Sequence, residues 1–413
     1  MKKLIVVGFL VSLALILSFT QAYAKTTLKF YYWDENQKPG MDLIISDFEK
    51  MNPDIQVKTT IIPNRQYWTK IMTALPTSAG PDIFWLNGVN AGTYMASGLV
   101  LNLQPFIDKE GLDLSPFPQS LRDIYSYDGK TYGIPKDYDT IALVYYKPAF
   151  DEVGIPYPNA DWTWDDLLEA AKKLTVRGAD GKVSRWGFIA TPWVQDCVAN
   201  LIYQNGGKIY NDDKTKAIVN NPETIEAIQF LVDMMYVHKV SPNGAEQKDF
   251  DQAAQFSSGN LAMAFDGSWM MTQYYQTLGD KFGVAPLPMK KQRATVIHGL
   301  GFVASAKTKN QEAAWKFLKF TASKQAGEYQ ANVVIPAYAG AEKQWLANFP
   351  GLDLQAFIDE VEYSYPLPIS VKNGRPSWIA FHNGLSEIWL QTTNVPDGVA
   401  NMEKVMNEEI NKE

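Results

Sequence analysis

The chain has 413 residues, of which 46% are hydrophobic and 20% are charged, and its formal net charge is −7. A chain of this length and composition buries substantial cores and forms more than one domain or lobe. The acidic balance and the lack of a basic block argue against nucleic acid and anionic membranes as partners.

The amino terminus has the three parts of a secretory signal peptide. Lys2 and Lys3 precede an uncharged apolar run over residues 4–19, and residues 22–24 are Ala-Tyr-Ala, a pattern typical of a cleavage site. We therefore predict a signal peptide over residues 1–24 and export to the periplasm. A single-span anchor is the alternative, but the run is short for a membrane span. Because no cysteine follows the run, the bacterial lipid attachment residue is missing, and we expect a soluble mature protein.

The chain is poor in residues that bind metals or form disulfides. Cys197 is the only cysteine, and the three histidines, His238, His298 and His382, are too widely spaced for a metal-binding motif. Gly299-Leu300-Gly301 superficially fits a dinucleotide fingerprint, but the residues after it continue as a strand where the fingerprint needs a helix. We predict no metal, no cofactor and no catalytic residues.

Predicted strands and helices alternate in the first part of the chain. Strands are expected at residues 28–32, 55–61 and 83–86, with a helical pattern in each interval. This order predicts a parallel sheet with right-handed crossovers, whose strands all end at one edge. The residues predicted to gather at that edge are Trp33, Asp34, Trp85 and Asn87.

Three later extended segments are joined without helices and are interpreted as crossings between two lobes. They lie at residues 131–146, 284–288 and 335–336. The resulting lobes are residues 25–136 plus about 290–335, and about 137–289 plus 336–413.

A short apolar run at residues 261–265 ends in Asp266-Gly267-Ser268, which reads as a buried strand followed by a sharp turn. Trp269 then lies near the carboxyl edge of a sheet, where open α/β folds hold ligands. A core position for Trp269 is the alternative interpretation.

Seven short motifs occur in an order that resembles the extracellular solute-binding proteins of bacterial carbohydrate ABC importers, a group that includes maltose-binding protein. The resemblance covers essentially all of the mature chain, and its motifs lie between residues 48 and 317. They are Phe48-Glu49 with Asn52-Pro53-Asp54-Ile55, Gly80-Pro81-Asp82-Ile83, residues 128–135 (DGKTYGIP), Tyr145-Tyr146-Lys147, Trp162-Thr163-Trp164-Asp165, residues 259–269 (GNLAMAFDGSW) and residues 313–317 (AAWKF).

The resemblance implies an α/β, two-lobed periplasmic-binding-protein fold of the class II type, with a ligand cleft between lobes joined by crossing segments. It places Trp85 and Asn87 on the first lobe's wall, Asp139 at the first crossing and Trp269 against a sugar from the second lobe. At a further wall, His298 departs from the small residue that the family commonly has before Gly299, and this departure suggests a direct sugar contact by His298. Trp378 resembles a late aromatic wall of the family. The lower-ranked candidates are Asp34, Asp137, Tyr138, Gln195 and Arg375. Trp193 and Trp378 either extend a sugar subsite or pack against the core.

Aromatic faces together with carboxylates and amides suit a pyranose, which has an apolar C–H face and a rim of hydroxyls. We therefore predict a monomeric binding protein for a mono- or oligosaccharide that delivers its ligand to an ABC permease. The same fold with a polyamine ligand is an alternative, because acids and aromatic rings also bind cations. A secreted glycosidase or lyase that uses paired acids such as Asp137 and Asp139 is another.

Overall fold

The computed structural model describes residues 25–77 and 79–412, so the predicted signal peptide lies outside the described residues. Strands and helices share the chain throughout. The strands are β1 (Thr26–Tyr32), β2 (Ile55–Ile61), β3 (Ile83–Asn87), β4 (Ser126–Tyr127), β5 (Lys130–Thr131), β6 (Gly133–Asp139), β7 (Ile141–Tyr146), β8 (Val176–Arg177), β9 (Val183–Arg185), β10 (Met263–Gly267), β11 (Phe282–Ala285), β12 (Thr295–Ala304), β13 (Ile335–Pro336) and β14 (Ser364–Pro366).

The longer helices cover both faces of the sheets. They are α1 (Lys38–Met51), α2 (Asn64–Ala74), α3 (Gly88–Ala96), α4 (Gln104–Glu110), α5 (Gln119–Ile124), α6 (Lys147–Val153), α7 (Trp164–Leu174), α8 (Ala199–Gln204), α9 (Pro222–Tyr236), α10 (Gln252–Ser257), α11 (Met271–Leu278), α12 (Gln311–Thr321), α13 (Lys324–Gln330), α14 (Lys343–Ala347), α15 (Gln355–Asp359), α16 (Gly374–Trp389) and α17 (Val395–Ile410). No helix in the part of the chain that the structure describes is long and apolar enough to cross a membrane.

The first sheet has seven strands in the order β13-β6-β12-β3-β1-β2, with β14 paired to β12. β1 runs parallel to both β2 and β3, which confirms the parallel arrangement predicted for these three strands. β12 is antiparallel to β3 and β6, so the complete sheet is mixed. Because helices cover both faces, residues 83–86 of β3 are all buried.

The second sheet is smaller, with three antiparallel strands in the order β10-β7-β11. Its central strand β7 is buried over residues 141–145. The predicted strand at residues 261–265 is present as β10, displaced by two residues toward the carboxyl end. A second hydrophobic core joins this sheet to α7, α9, α16 and α17.

Two of the three segments predicted as crossings, residues 131–146 and 335–336, lie side by side. The third, at residues 284–288, begins within β11 of the second sheet, and it is the following strand, β12, that reaches the first sheet. β6 and β12 are adjacent strands, β13 pairs with the other side of β6, and β6 leads through Thr140 into β7 of the second sheet. After β13 the chain packs on the second sheet, where Thr140 donates to the carbonyl oxygen of Phe357 at 2.5 Å. It then returns as β14 beside β12. The residue bounds of the two lobes stay a prediction.

Local signals in the sequence match the structure at several turns and caps. Asp128 and Gly129 have φ values of 49° and 68° in the tight turn between β4 and β5. Thr163 and Asp166 form a reciprocal capping box at the start of α7. Asn221 caps α9, with Pro222 at its first position.

Candidate functional site

A cavity of about 760 Å³ lies where the carboxyl ends of β1 and β3 face the end of β10. Residues from both lobes and from the connecting strands line it. The predicted site residues among them are Trp33, Asp34, Asn87, Asp137, Asp139, Trp269 and His298. The structure therefore brings together half of the candidates that the sequence suggested.

Trp33 follows β1 and forms an aromatic part of the first lobe's wall. Its ring is half-buried and makes an edge contact with Trp85 at 5.2 Å and 88°, and another with Tyr67 at 4.8 Å. Trp68 lies 5.4 Å away. These buried and partly buried neighbours fix the orientation of the ring that faces the cavity.

The prediction that Trp85 lies on the cleft wall is wrong. Its side chain is fully buried and packs against Phe30, Tyr32 and Phe302 with ring centroids 4.8–6.5 Å apart. The physical reason is that β3 is covered on both faces, so neither direction of its alternating side chains reaches solvent. Trp85 contacts the Trp33 ring from the core side and so helps to hold that ring in the cavity wall.

A chain of hydrogen bonds connects the polar groups of the first lobe's wall. Gln37 donates to Asp34 at 2.9 Å and accepts from the Lys136 ammonium at 2.5 Å. Lys136 also donates to Asp137 at 2.5 Å, and the backbone N–H of Leu300 donates to the other oxygen of Asp137 at 3.1 Å. Asp34 caps the short helical turn Glu35–Gln37, so it has a local structural role as well.

Asn87 ends β3 and caps α3. Its side-chain oxygen accepts from the backbone N–H of Asn90 at 3.2 Å and from the Asn90 side chain at 2.7 Å. The oxygen is therefore occupied within the protein. The amide NH₂ group is the part of Asn87 that is left to donate to a ligand.

Asp139 and His298 are paired residues on the neighbouring strands β6 and β12. Burial first, and the Asp137 carboxylate second, raise the pKa of Asp139 to about 7, while a hydrogen bond from Ser268 at 3.0 Å opposes that shift. Burial lowers the pKa of His298 to about 4, so the imidazole is neutral at physiological pH. Its buried Nε2 atom has no hydrogen-bond partner among the residues that the structure describes. A neutral imidazole nitrogen without a partner is suited to a ligand hydroxyl.

Trp269 supplies the aromatic surface of the second lobe. Its side chain is 43% exposed, in the short turn Ser268–Met270 that follows β10. The ring folds back over Gly267, where an added Cβ would overlap the six-membered ring. Because only glycine leaves that space open, Gly267 allows Trp269 to take this position.

Two further predictions are corrected by burial. The Tyr138 side chain is 5% exposed and packs into the first core, because it points to the opposite face of β6 from Asp137 and Asp139. Gly299 is also buried, and its carbonyl oxygen accepts from the Tyr125 hydroxyl at 2.9 Å. An added Cβ would lie 2.7 Å from the Asp137 carbonyl oxygen, so Gly299 permits the close approach of β12 to β6.

Four candidates that are not buried do not line this cavity. Trp193 is 58% exposed and lies 5.8 Å from the His382 ring, which Trp378 contacts at 4.8 Å. Gln195 is half-buried, and Arg375 is exposed. A ligand-binding role for Trp193, Gln195, Arg375 and Trp378 stays a prediction.

Ten further residues line the cavity and are not predicted from the sequence. Most lie in loops or on segments far apart in the chain, where no periodic pattern singles them out. Ser268 had the clearest available signal, since it belongs to the predicted turn and directly precedes Trp269. Asn36 and Gln37 follow the predicted edge residue Asp34 by two and three positions. The missed residues are Asn36, Gln37, Ser268, Thr272, Leu300, Asn332, Val333, Val334, Ile335 and Trp345.

The fold and the position of the cavity define the class of the molecule: a two-lobed α/β binding protein with its site between the lobes. An ABC substrate-binding protein from Listeria monocytogenes, solved in complex with cycloalternan, has a similar structure. The TM-score is 0.79 with 27% sequence identity, and the likeness covers 94% of this chain and 100% of that one. The predicted fold class is therefore confirmed.

The chain belongs to the bacterial extracellular solute-binding protein family, which matches residues 23–328. An arabinooligosaccharide-binding protein of Halalkalibacterium halodurans is 27% identical over 294 residues, which is 68% of this chain and 63% of that relative. A maltotriose-binding protein of Pyrococcus abyssi is 27% identical over 365 residues, or 86% of this chain and 75% of the relative. The resemblance stated from the motifs is confirmed at the level of the family.

Proposed function

We propose that the protein captures a sugar or oligosaccharide in the cavity between its lobes and delivers it to an ABC permease in the membrane. One observation carries this proposal: Trp33 from one lobe and Trp269 from the other line the same cavity as Asp34, Asp137 and Asp139. Flat rings bind the C–H faces of a sugar, and carboxylates accept hydrogen bonds from its hydroxyls. The saccharides named for the two relatives support the same ligand class.

The ligand is captured because it contacts both walls of the cavity. A ligand that touches Trp33 and Trp269 together gains more contacts when the lobes close, so it favours the closed form by that difference in binding energy. The closed form is then the shape that a permease recognises. The proposed setting is the periplasm after removal of residues 1–24, and the proposed activity is binding without turnover.

The experiment is a thermal-shift panel with maltotriose, arabinotriose, galactobiose and spermidine, followed by calorimetry on the ligands that stabilise the protein. A ligand that binds only the folded state raises the free energy of unfolding by RT ln(1 + [L]/Kd), and the melting temperature rises with it. We expect at least one saccharide to bind with a dissociation constant on the order of 1 μM, which corresponds to about −8 kcal/mol.

Stabilisation by spermidine alone would replace the sugar proposal with the polyamine alternative. Release of new reducing ends from the oligosaccharides during incubation would instead indicate a glycosidase. Each outcome thus points to one of the three functions considered.

A further inference from the structure

Lys136 is a charged side chain with no exposed surface, placed directly beneath the proposed ligand-binding wall. Its ammonium lies 4.4 Å from the centroid of the Trp85 ring and 2.5 Å from an Asp137 oxygen. Removing a lysine ammonium from water is unfavourable unless other groups compensate it. The carboxylate, the ring face and the Gln37 side-chain oxygen at 2.5 Å provide that compensation.

The contacts of Lys136 lead to three groups that line the cavity. One is Asp137, which it contacts directly. The second is Gln37, whose side-chain oxygen accepts a hydrogen bond from Lys136. This bond directs the Gln37 NH₂ group at the third group, Asp34, to which it donates at 2.9 Å. One buried cation therefore fixes the orientation of two carboxylates and one amide, although Lys136 itself does not line the cavity.

The charges that a ligand meets follow from this arrangement. Among the described residues, the lining includes Asp34, Asp137 and Asp139 but no lysine or arginine. Hydrogen bonds to a carboxylate must come from ligand donors such as hydroxyls. An acidic sugar would place its negative charge beside these carboxylates, and the lining has no lysine or arginine to pair with that charge.

We propose that Lys136 is a positioning residue that orients Asp34, Gln37 and Asp137 for the hydroxyls of an uncharged saccharide and limits the negative charge that the wall presents. The inference rests on the proposed function. Without the Lys136 charge, the side chains of Asp34, Gln37 and Asp137 should lose their fixed orientation and bind a neutral sugar more weakly. The wall should also carry more negative charge and bind a cation at least as tightly.

The first test compares wild type with Lys136→Met, which keeps an unbranched stem of four atoms and removes the ammonium group. The probes are spermidine and whichever of maltotriose, arabinotriose and galactobiose binds wild type most tightly. Calorimetry should show at least a tenfold weaker saccharide affinity for the variant, with spermidine binding unchanged or stronger. Merely structural damage would weaken binding of both probes, and that result, or an unchanged saccharide affinity, would overturn the proposal. Lys182→Met, at a side chain that is 87% exposed, is the matched control and should bind as wild type does.

A second comparison covers the case in which Lys136→Met fails to fold because Asp137 is left unpaired. Asp137→Asn is compared with the double variant Lys136→Met/Asp137→Asn, which has no unpaired charge at this pair. The double variant should bind the saccharide at least fivefold more weakly than Asp137→Asn, because only the single variant keeps Gln37 oriented. Equal affinities would contradict the positioning role. If wild type binds none of the three saccharides, it is the proposed function that fails.

Discussion

The two walls of the cavity hold their aromatic rings in different ways. Trp33 on the first lobe is packed among Tyr67, Trp68 and Trp85, and the polar groups beside it are tied to a buried lysine. Trp269 on the second lobe is 43% exposed and rests over Gly267. On the first wall, ligand binding therefore depends on buried residues that also stabilise the fold. On the second wall, ligand binding and fold stability depend on different residues.

Trp85→Ala tests the first wall and should have the largest effect. Removing a fully buried tryptophan costs about 3–5 kcal/mol in unfolding free energy, which denaturant titration of the unliganded protein measures. Saccharide affinity should fall as well, because Trp33 loses its support. Trp164→Ala, at a residue 1% exposed in the second core, is the control and should lose comparable stability while keeping affinity. Unchanged affinity in Trp85→Ala would show that the first wall is not coupled to its core.

Trp269→Ala tests the second wall. Saccharide affinity should fall at least tenfold, equivalent to about 1.4 kcal/mol, since a stacking face is lost. The melting temperature of the unliganded protein should stay nearly unchanged, because the side chain is 43% exposed and lies outside both hydrophobic cores. Leu390→Ala, at a side chain that is 54% exposed and lies outside this cavity, serves as the comparison and should bind as wild type does. Collapse of the unliganded fold in Trp269→Ala would remove the distinction between the walls.

Gly267→Ala moves the second ring without removing it. The new methyl group would overlap Trp269, so the ring must leave its position over residue 267. We expect calorimetry to show about a threefold to tenfold loss of affinity, equivalent to about 0.6–1.4 kcal/mol. Gly92→Ala is the control, since an added Cβ there meets nothing nearer than 3.5 Å. Wild-type affinity in Gly267→Ala would mean that the position of the ring over the glycine does not matter for binding.

Asp139 lies between the two walls, and its ionisation should make the free energy of unfolding depend on pH. We expect this effect to be smaller than those of the substitutions above. Its folded-state pKa of about 7 lies above its ordinary value, so the folded protein binds this proton more tightly than the unfolded chain does. Unfolding free energy should therefore fall as pH rises from about 4 to about 7. Buried or half-buried Asp196, Asp266 and Glu360 have pKa values raised in the same direction, mainly by burial.

The measurement is the unfolding free energy of the unliganded protein at pH 5 and pH 8, for wild type and Asp139→Asn. The asparagine cannot ionise, so the difference between the two pH values should shrink by on the order of 1 kcal/mol. Asp212→Asn removes a carboxylate whose side chain is 94% exposed and should leave the difference as it is in wild type. An identical pH difference in Asp139→Asn would contradict the assignment.

The sequence predicts regular elements here better than it predicts the directions of side chains. The parallel order of β1, β2 and β3 followed from alternating strand and helix patterns, and Trp33 and Asp34 were found because they directly follow a strand. The prediction for Trp85 is wrong because a short apolar run does not show whether one face of the strand or neither face reaches solvent.

The remaining site residues depend on contacts between distant segments. Lys136 stands between Pro135 and Asp137 in an extended segment, where a lysine usually implies a solvated position. Its burial is decided by Gln37 and Trp85, 99 and 51 positions earlier in the chain. Trp345 likewise enters the cavity wall from a helix after β13. Such long-range pairings have no local signal in the sequence.

Cys197 is the only cysteine of the chain, and its side chain is 1% exposed. Burial raises the pKa of its thiol to about 12, which keeps it protonated and unreactive toward maleimides at neutral pH. A Thr272→Cys variant would thus carry a single reactive thiol at the exposed rim of the cavity. Coupling an environment-sensitive fluorophore there would turn the protein into an optical reporter of its ligand without prior removal of a native cysteine.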